Sequence, residues 1–180
     1  MQLELKHIKG GQLEQDYQCA VGDFPELQEL ANTGDCVYRD PIRLLLRFIQ
    51  SGRMVEVSGH IQATLELTCG GCLGSFEYAL AEDFDLTFVP EVEPTEPALE
   101  QELETDELGL IPYREDRLEL LTPVQEQLLL AVPMHPLCSA TCRGLCPVCG
   151  VDLNTSSCRC EKKIFNNKFG ALAQIKGKAD

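Results

Sequence analysis

The chain has 180 residues, 44% of them hydrophobic, which is enough for a hydrophobic core and excludes an intrinsically disordered polymer. Its 29 acidic residues outnumber 15 basic ones, and the formal net charge of -14 excludes a protein that coats nucleic acid over its whole surface. No apolar run is long enough to cross a bilayer, and Met1 to Lys6 lack the basic start and apolar stretch of a signal peptide, so we expect a soluble, cytoplasmic protein.

The start of the chain predicts two short strands and then a short helix. Apolar residues share odd positions on both sides of Gly10-Gly11, which indicates two strands joined by a glycine turn. Asp23 then supplies a helix cap and Pro25 an early proline. Apolar residues keep helical spacing until about Asn32 to Gly34, where we expect the helix to end.

The strongest periodicity lies between Ile42 and Phe88, where apolar and polar residues alternate along three segments. Ser51-Gly52 supplies a turn between the first two segments, and Cys69-Gly70-Gly71-Cys72 separates the second from the third. Alternation of this kind is typical of strands with one buried and one solvated face. The sequence therefore predicts three antiparallel strands in a meander.

An acidic stretch follows the meander and precedes a second predicted helix. From Glu91 to Glu107 there are eight acidic residues, no basic ones and two prolines, which indicates a solvated linker or a docking strip for a basic partner. Thr122, Pro123 and Gln125 then provide a cap, a first-position proline and a capping-box glutamine for a helix that stops at Pro133.

These patterns predict an α+β fold: an antiparallel β-meander with a few short helices and a Cys-rich, zinc-binding C-terminal segment. Near the end of the chain, Phe169, Leu172 and Ala173 have helical spacing, and basic residues exceed acidic ones from Arg159 onward. The expected parts are a β-rich core with a short helix (1–90), an acidic linker (91–117), a helix packing on the core (118–134), and a zinc segment with a terminal basic helix (135–180).

Ten cysteines in a chain without a secretion signal point to metal binding or redox chemistry rather than to disulfides. Cys19 and Cys36 stand alone, as small buried apolar residues often do. The other eight are grouped by sequence, as a pair in the predicted meander and six near the C-terminus: Cys69, Cys72, Cys138, Cys142, Cys146, Cys149, Cys158 and Cys160.

Cys146-Pro147-Val148-Cys149-Gly150 has the form of a zinc knuckle, because two thiolates three residues apart converge on one ion and the following glycine permits the turn. Zinc needs a second pair of donors, which could be Cys138 with Cys142 or Cys158 with Cys160. Alternatively, all eight thiols could form two four-thiolate sites, one of which would attach the C-terminal segment to the meander. Spacing leaves these alternatives open.

Other chemistry has weaker support. Cys69 and Cys72 could form a redox pair, but they lie between two predicted antiparallel strands rather than at the start of a helix after a strand. His135 could replace one sulfur ligand or be a plain loop histidine. A closed site of four thiolates has no open position for substrate, and we therefore expect no enzymatic activity.

Two segments resemble the YceD family. One is Leu65 to Leu73, which contains the first cysteine pair, and the other runs from Gln127 to Asn154 through the Cys-Arg-Gly-Leu-Cys-Pro-Val-Cys-Gly motif. Phe169 to Ala173 is similar to the family's closing helix. The family usually has an arginine before the second cysteine of the first pair, where this chain has Gly71.

The resemblance implies a non-enzymatic factor needed for accumulation of the large-subunit (23S) ribosomal RNA. An acidic protein contacts basic proteins more readily than phosphates, so we expect the partner to be a basic large-subunit ribosomal protein or a pre-ribosomal particle. The basic end of the chain is the segment best suited to contact RNA, unless it is a solubilising helix end. The alternatives are a thiol redox protein that uses Cys69 and Cys72, and a zinc-stabilised interaction module with no ribosomal role.

Overall fold

A five-stranded sheet forms the centre of the protein, in a computed structural model that describes residues 1–34, 36–91 and 109–160. Its long strands follow the alternation of apolar and polar residues in the sequence. The strands in spatial order are β2 (Gln12–Cys19), β3 (Cys36–Ser51), β4 (Met54–Thr68), β5 (Ser75–Pro90) and β6 (Leu110–Tyr113).

The predicted meander is confirmed, because β3, β4 and β5 pair in antiparallel order. The turn between β3 and β4 contains Gly52 with a φ of 64°, a left-handed conformation that glycine adopts without a steric penalty. β2 also pairs antiparallel with β3, whereas β6 pairs parallel with the end of β5. The sheet is therefore mixed and larger than the meander predicted from the sequence.

The two N-terminal strands are present but do not form the expected glycine-turn hairpin. β1 (Gln2–Glu4) pairs antiparallel with β7 (Arg117–Glu119), and β2 pairs with β3. Residues Leu5–His7 and Lys9–Gly11 form short 3-10 turns that carry the chain from one sheet to the other. The partner of β1 lies more than 100 residues away, so local alternation could not identify it.

Two helices pack on the sheet, close to their predicted positions: α1 (Pro25–Thr33) and α2 (Leu121–Leu130). Their caps differ from the prediction. The carboxylate of Asp23 accepts a hydrogen bond from the backbone N–H of Ala20 at 2.9 Å, so it closes the preceding turn rather than capping α1. The Gln125 side chain accepts from the backbone N–H of Glu26 at 3.2 Å, so it joins α2 to the start of α1.

The hydrophobic core lies between one face of the five-stranded sheet and a layer made by the helices and the small sheet. Near the β4–β5 turn, Phe76 and Tyr78 are half-buried and pack against this core. The largest fully buried side chains of the core are Phe24, Phe48, Phe88, Leu27, Ile42, Leu44, Leu46, Ile61, Leu65, Leu67, Leu118 and Leu120.

The stretch predicted as an acidic linker contributes a strand at its C-terminal end. The run of acidic residues ends at Glu107, and the apolar residues that follow form β6 at Leu110–Tyr113. The acidic residues 92–108 and the predicted terminal helix lie outside the described residues. Within the described residues, neither helix is long and apolar enough to cross a membrane.

Candidate metal centres

Four thiols meet where the β4–β5 turn contacts the segment that follows α2. Cys69 and Cys72 lie in the turn, and Cys138 and Cys142 lie in the segment. Their sulfur atoms all lie within 4.8 Å of one another. We call this set of four residues the hairpin site, because it attaches the tip of the β4–β5 hairpin to the chain beyond α2.

The remaining four of the eight predicted thiols form a second group. Cys146, Cys149, Cys158 and Cys160 bring their sulfur atoms within 4.8 Å of one another. All four belong to one stretch of 15 residues, which we call the tail site. Of the pairings left open by the sequence, the structure therefore shows the eight-thiol arrangement, with Cys158 rather than Cys138 beside the Cys146 knuckle.

The spacing of the sulfur atoms matches a metal site better than a disulfide. Cys69 Sγ and Cys142 Sγ are 3.7 Å apart, as are Cys72 Sγ and Cys138 Sγ. A disulfide has a sulfur–sulfur distance of about 2.05 Å. Zinc–sulfur bonds of about 2.3 Å in a tetrahedron place the sulfurs about 3.8 Å apart. The donor set of the hairpin site therefore fits a tetrahedral thiophilic ion.

The two Cys-x-x-Cys loops have the same pattern of hydrogen bonds. In the hairpin site, the N–H of Gly71 donates to Cys69 Sγ at 3.4 Å; in the tail site, the N–H of Val148 donates to Cys146 Sγ at 3.5 Å. In both loops the carbonyl of the first cysteine accepts from the N–H four residues later, at 2.9 Å. Such N–H···S bonds stabilise the charge of a ligating thiolate.

The residue after each second cysteine has a left-handed backbone. Gly150 has a φ of 72°, as the knuckle motif predicts, and Leu73 occupies the same place in the hairpin site with a φ of 59°. A leucine pays a steric penalty in this conformation that glycine does not. Because residue 73 is not a glycine, the sequence alone does not show that the two loops are equivalent.

Within each group, the surroundings lower the pKa of one thiol and raise the pKa of another. Backbone N–H donors, those of Cys72 and Cys138 first, lower the pKa of Cys69 to about 6, and the N–H groups of Cys149 and Val148 do the same for Cys146. Neighbouring sulfurs have the opposite effect, and Cys142 is the main cause that raises the pKa of Cys138 to about 12.

The tail site repeats this pattern, since the hydrogen bond with Cys149 is the main cause that raises the pKa of Cys160 to about 12. Four thiolates at such short range repel one another strongly unless a cation lies between them. Both donor sets are therefore suited to a cation that deprotonates its ligands when it binds.

Backbone contacts join the hairpin site to the tail site. The N–H of Gly70 donates to the carbonyl of Pro136 at 2.8 Å, and the N–H of Leu145 donates to the carbonyl of Gly71 at 3.1 Å. Leu145 also forms an isolated antiparallel bridge with Asp152. The hairpin tip, the segment after α2 and the tail knuckle thus share one hydrogen-bonded framework.

Asn154 is a site residue whose role the sequence does not reveal. Its side-chain amide donates to Cys142 Sγ at 3.5 Å, and its side-chain oxygen accepts from the N–H of Arg143 at 2.8 Å. Asn154 belongs to the tail stretch, whereas Cys142 belongs to the hairpin site, so this side chain supports one site from the other. Neutral amides are not typical zinc ligands, so the residue type does not indicate a role at a metal site.

The other candidates lie outside both groups. His135 is exposed, and neither four-thiol group includes it. Cys36 is 3% exposed in the core, and burial raises the pKa of its thiol to about 11; Cys19 is half-buried. Both behave as the small apolar residues that their isolation predicted.

Two relatives show what the chain is similar to. A Zea mays protein named large ribosomal RNA subunit accumulation protein YCED homolog 1, chloroplastic, is 20% identical over 161 residues, which cover 77% of this chain and 54% of the maize protein. An uncharacterized protein of Mycobacterium tuberculosis is 31% identical over 103 residues, which cover 55% of this chain and 45% of that protein.

The chain spans about half the length of the curated relatives it matches. No solved structure matches it. A family model described as large ribosomal RNA subunit accumulation protein YceD matches residues 57–176, which include all eight clustered thiols. Because this match covers more than half of the sequence, the chain belongs to the YceD family.

Proposed function

We propose that this protein is a non-enzymatic factor that supports accumulation of the large-subunit (23S) ribosomal RNA in the cytoplasm. The observation that carries the proposal is the family match over residues 57–176, together with the name of the maize relative. The two four-thiol groups lie inside the matched region, so they belong to the part of the chain that the family shares.

We further propose that each four-thiol group binds one zinc ion with a structural role. All four ligands of each group come from the chain, which leaves no position for a substrate. The residues that would hold the ions are Cys69, Cys72, Cys138 and Cys142 in the hairpin site and Cys146, Cys149, Cys158 and Cys160 in the tail site. Bound zinc would supply the crosslinks that hold the segment after α2 on the β4–β5 hairpin.

The charge of the outer sheet face supports a basic partner. Six exposed acidic side chains project from β2, β4 and β5 on this face, against three arginines on β3. Two of these arginines are already paired, Arg39 with Glu66 and Arg47 with Glu14. The face attracts cations rather than phosphates, as a basic large-subunit ribosomal protein or a pre-ribosomal particle would require.

The redox alternative has less support. A dithiol enzyme needs two cysteines that interconvert with a disulfide, whereas Cys69 contacts three other thiols and is 0% exposed. A low pKa at Cys69 suits a metal ligand as well as a nucleophile. The convergence of four sulfurs supports the role of metal ligand.

Deletion of the gene from its host tests the ribosomal role. We expect the ratio of 23S to 16S ribosomal RNA to fall and to recover when the full chain is supplied. A chain carrying Cys69→Ser and Cys72→Ser should fail to restore it, whereas Cys19→Ser, outside both groups, should restore it. An unchanged ratio after deletion would contradict the ribosomal role.

Isolation of the tagged chain from cells tests the partner. We expect large-subunit proteins to co-purify, to remain after RNase treatment and to dissociate as salt is raised, because the contact is electrostatic. Loss of all of them with RNase would instead indicate that RNA makes the contact.

A further inference from the structure

One edge of the five-stranded sheet is open over most of its length. β5 pairs with β4 on one side from Ser75 to Phe88, but on its other side β6 pairs only with Thr87–Pro90. In the described part of the chain, no strand pairs with the outer edge of β5 between Ser75 and Leu86. An edge of this kind presents backbone N–H and C=O groups to any extended chain that reaches it.

A groove of about 410 Å³ lies beside this open edge. Tyr78 and Phe84 of β5 line one side, and the end of α2 with the residues after it lines the other. Leu130 is 77% exposed and Met134 is 92% exposed, although both side chains are apolar. Exposed apolar side chains beside an open strand can contact every second side chain of an added strand.

The negative charge of the groove disfavours two possible occupants, a second copy of the chain and its own acidic residues 92–108. Glu82 and Asp83 line it, and no lysine or arginine among the described residues does. Asp83 pairs with His60, whereas Glu82 has no ion-pair partner in the described ranges. A second copy would bring its own acidic edge against this one, and the acidic residues 92–108 would meet the same repulsion.

We propose that the open edge of β5 and its groove bind an extended segment of a partner protein in which lysine or arginine alternates with apolar residues. The backbone of that segment would continue the sheet, its apolar side chains would enter the groove, and its cations would lie on the opposite face of the added strand, beside Glu77, Asp83 and Asp85 of β5. This inference rests on the proposed function, because a basic ribosomal protein is a source of such a segment.

Binding of a defined peptide tests the proposal on the full metal-loaded chain. The probe is a fluorescein-labelled peptide of twelve residues that alternates valine with lysine. We expect saturable binding by fluorescence anisotropy and slower hydrogen exchange of the amides between Ser75 and Leu86. A peptide with glutamate in place of lysine should not bind.

A third peptide separates strand addition from simple charge attraction. It keeps every lysine but replaces each valine with proline, which removes half of the backbone donors and prevents a continuous ladder. We expect it to bind at least about tenfold more weakly. Equal binding of the valine and proline peptides would overturn the proposal.

Variants locate the site. Asp85→Lys and Met134→Gln should each weaken binding, the first by about tenfold or more because like charges then oppose each other. Leu45→Gln is the matched control, since Leu45 is 51% exposed on the outer face of β3. All three positions are exposed or line the open groove, so the folded state should persist, and thermal unfolding checks this. Equal affinity in Asp85→Lys would overturn the proposal.

Two other occupants are also distinguishable. A dimer that protects the same β5 amides would overturn the proposal. The other alternative occupant is the basic end of this chain, which would compete with the peptide. Binding only to a variant in which glutamine replaces Lys162, Lys163, Lys168, Lys176 and Lys178 would also overturn the proposal. If the peptide fails to bind while gene deletion still lowers 23S ribosomal RNA, this inference fails and the proposed function stands. If the peptide binds as expected and gene deletion leaves the RNA ratio unchanged, the proposed function fails and the binding of a basic segment at β5 stands.

Discussion

The backbone of Gly144 lies directly against that of Gly71. A β-carbon on Gly144 would come within 3.0 Å of the Gly71 carbonyl oxygen, and one on Gly71 would come within 3.2 Å of Cys142 Sγ. The close approach leaves room for the hydrogen bond from Leu145 to Gly71, so these two glycines bring the hairpin tip and the tail together.

Gly144→Ala should therefore destabilise the protein more than a glycine replacement without a close neighbour. Gly144 has a φ of 67° and Gly10 has a φ of 68°, but a β-carbon on Gly10 meets nothing within 4 Å. Both replacements carry the left-handed penalty of about 1–2 kcal/mol, and Gly144→Ala adds a clash. Thermal unfolding of the two variants measures the difference. Equal losses would show that the glycine contact contributes nothing.

Leu73→Gly should stabilise the protein by about 1 kcal/mol, because glycine adopts the left-handed backbone after Cys72 without the penalty that leucine pays. Little packing is lost, since Leu73 is 63% exposed. Leu73→Ala is the control, because it removes the side chain and keeps the penalty. Denaturant unfolding compares the three proteins, and a Gly variant no more stable than the Ala variant would contradict the expectation.

The sequence predicted local structure well and long-range pairing poorly. Alternation over three neighbouring segments is enough to predict β3, β4 and β5, because each pairs with the next along the chain. The pairing of β1 with β7 and the parallel addition of β6 depend on how distant segments meet. No local pattern records that information.

The same division applies to the thiols. The Cys146 knuckle was predictable because its two cysteines and its glycine are contiguous. The grouping of Cys69 with Cys142 was only one of several possibilities, because it depends on the β4–β5 turn reaching the segment after α2. Asn154 and Leu73 had no sequence signal, since the first is not a typical ligand and the second is not the residue that its backbone favours.

Metal analysis should find about two zinc ions per chain, because each group supplies the four ligands that one ion needs. The double replacement of Cys69 and Cys72 by serine should leave about one ion, and so should that of Cys146 and Cys149. Cys19→Ser, outside both groups, should keep the full content. Elemental analysis of protein purified without chelator gives the count, and a single ion in the unaltered chain would contradict the two-site arrangement.

Loss of each ion should have a different structural effect. The hairpin site joins two segments that are far apart in the sequence, so its loss should speed hydrogen exchange in the β4–β5 turn and in residues 136–145. The tail site joins residues of one stretch, so its loss should affect mainly 146–160. Exchange measured on the two double-serine variants tests this, and identical exchange patterns would contradict it.

Gly59→Ala should destabilise the sheet by about 1–3 kcal/mol, the usual cost of overpacking a core. Gly59 lies opposite Phe84 across β4 and β5, and a β-carbon there would come 2.1 Å from the Phe84 ring. Ser58→Ala, one residue earlier on the solvated face of β4, is the matched control and should change stability little.

Phe84→Leu provides the decisive comparison, because a smaller side chain leaves space for the added methyl group. The double variant should then lose less stability than the sum of the two single variants, and the shortfall in a double-mutant cycle measures the contact. Thermal unfolding of the four proteins supplies the cycle. Additive losses would mean that the Phe84 ring moves aside freely, and glycine at position 59 would then need another explanation.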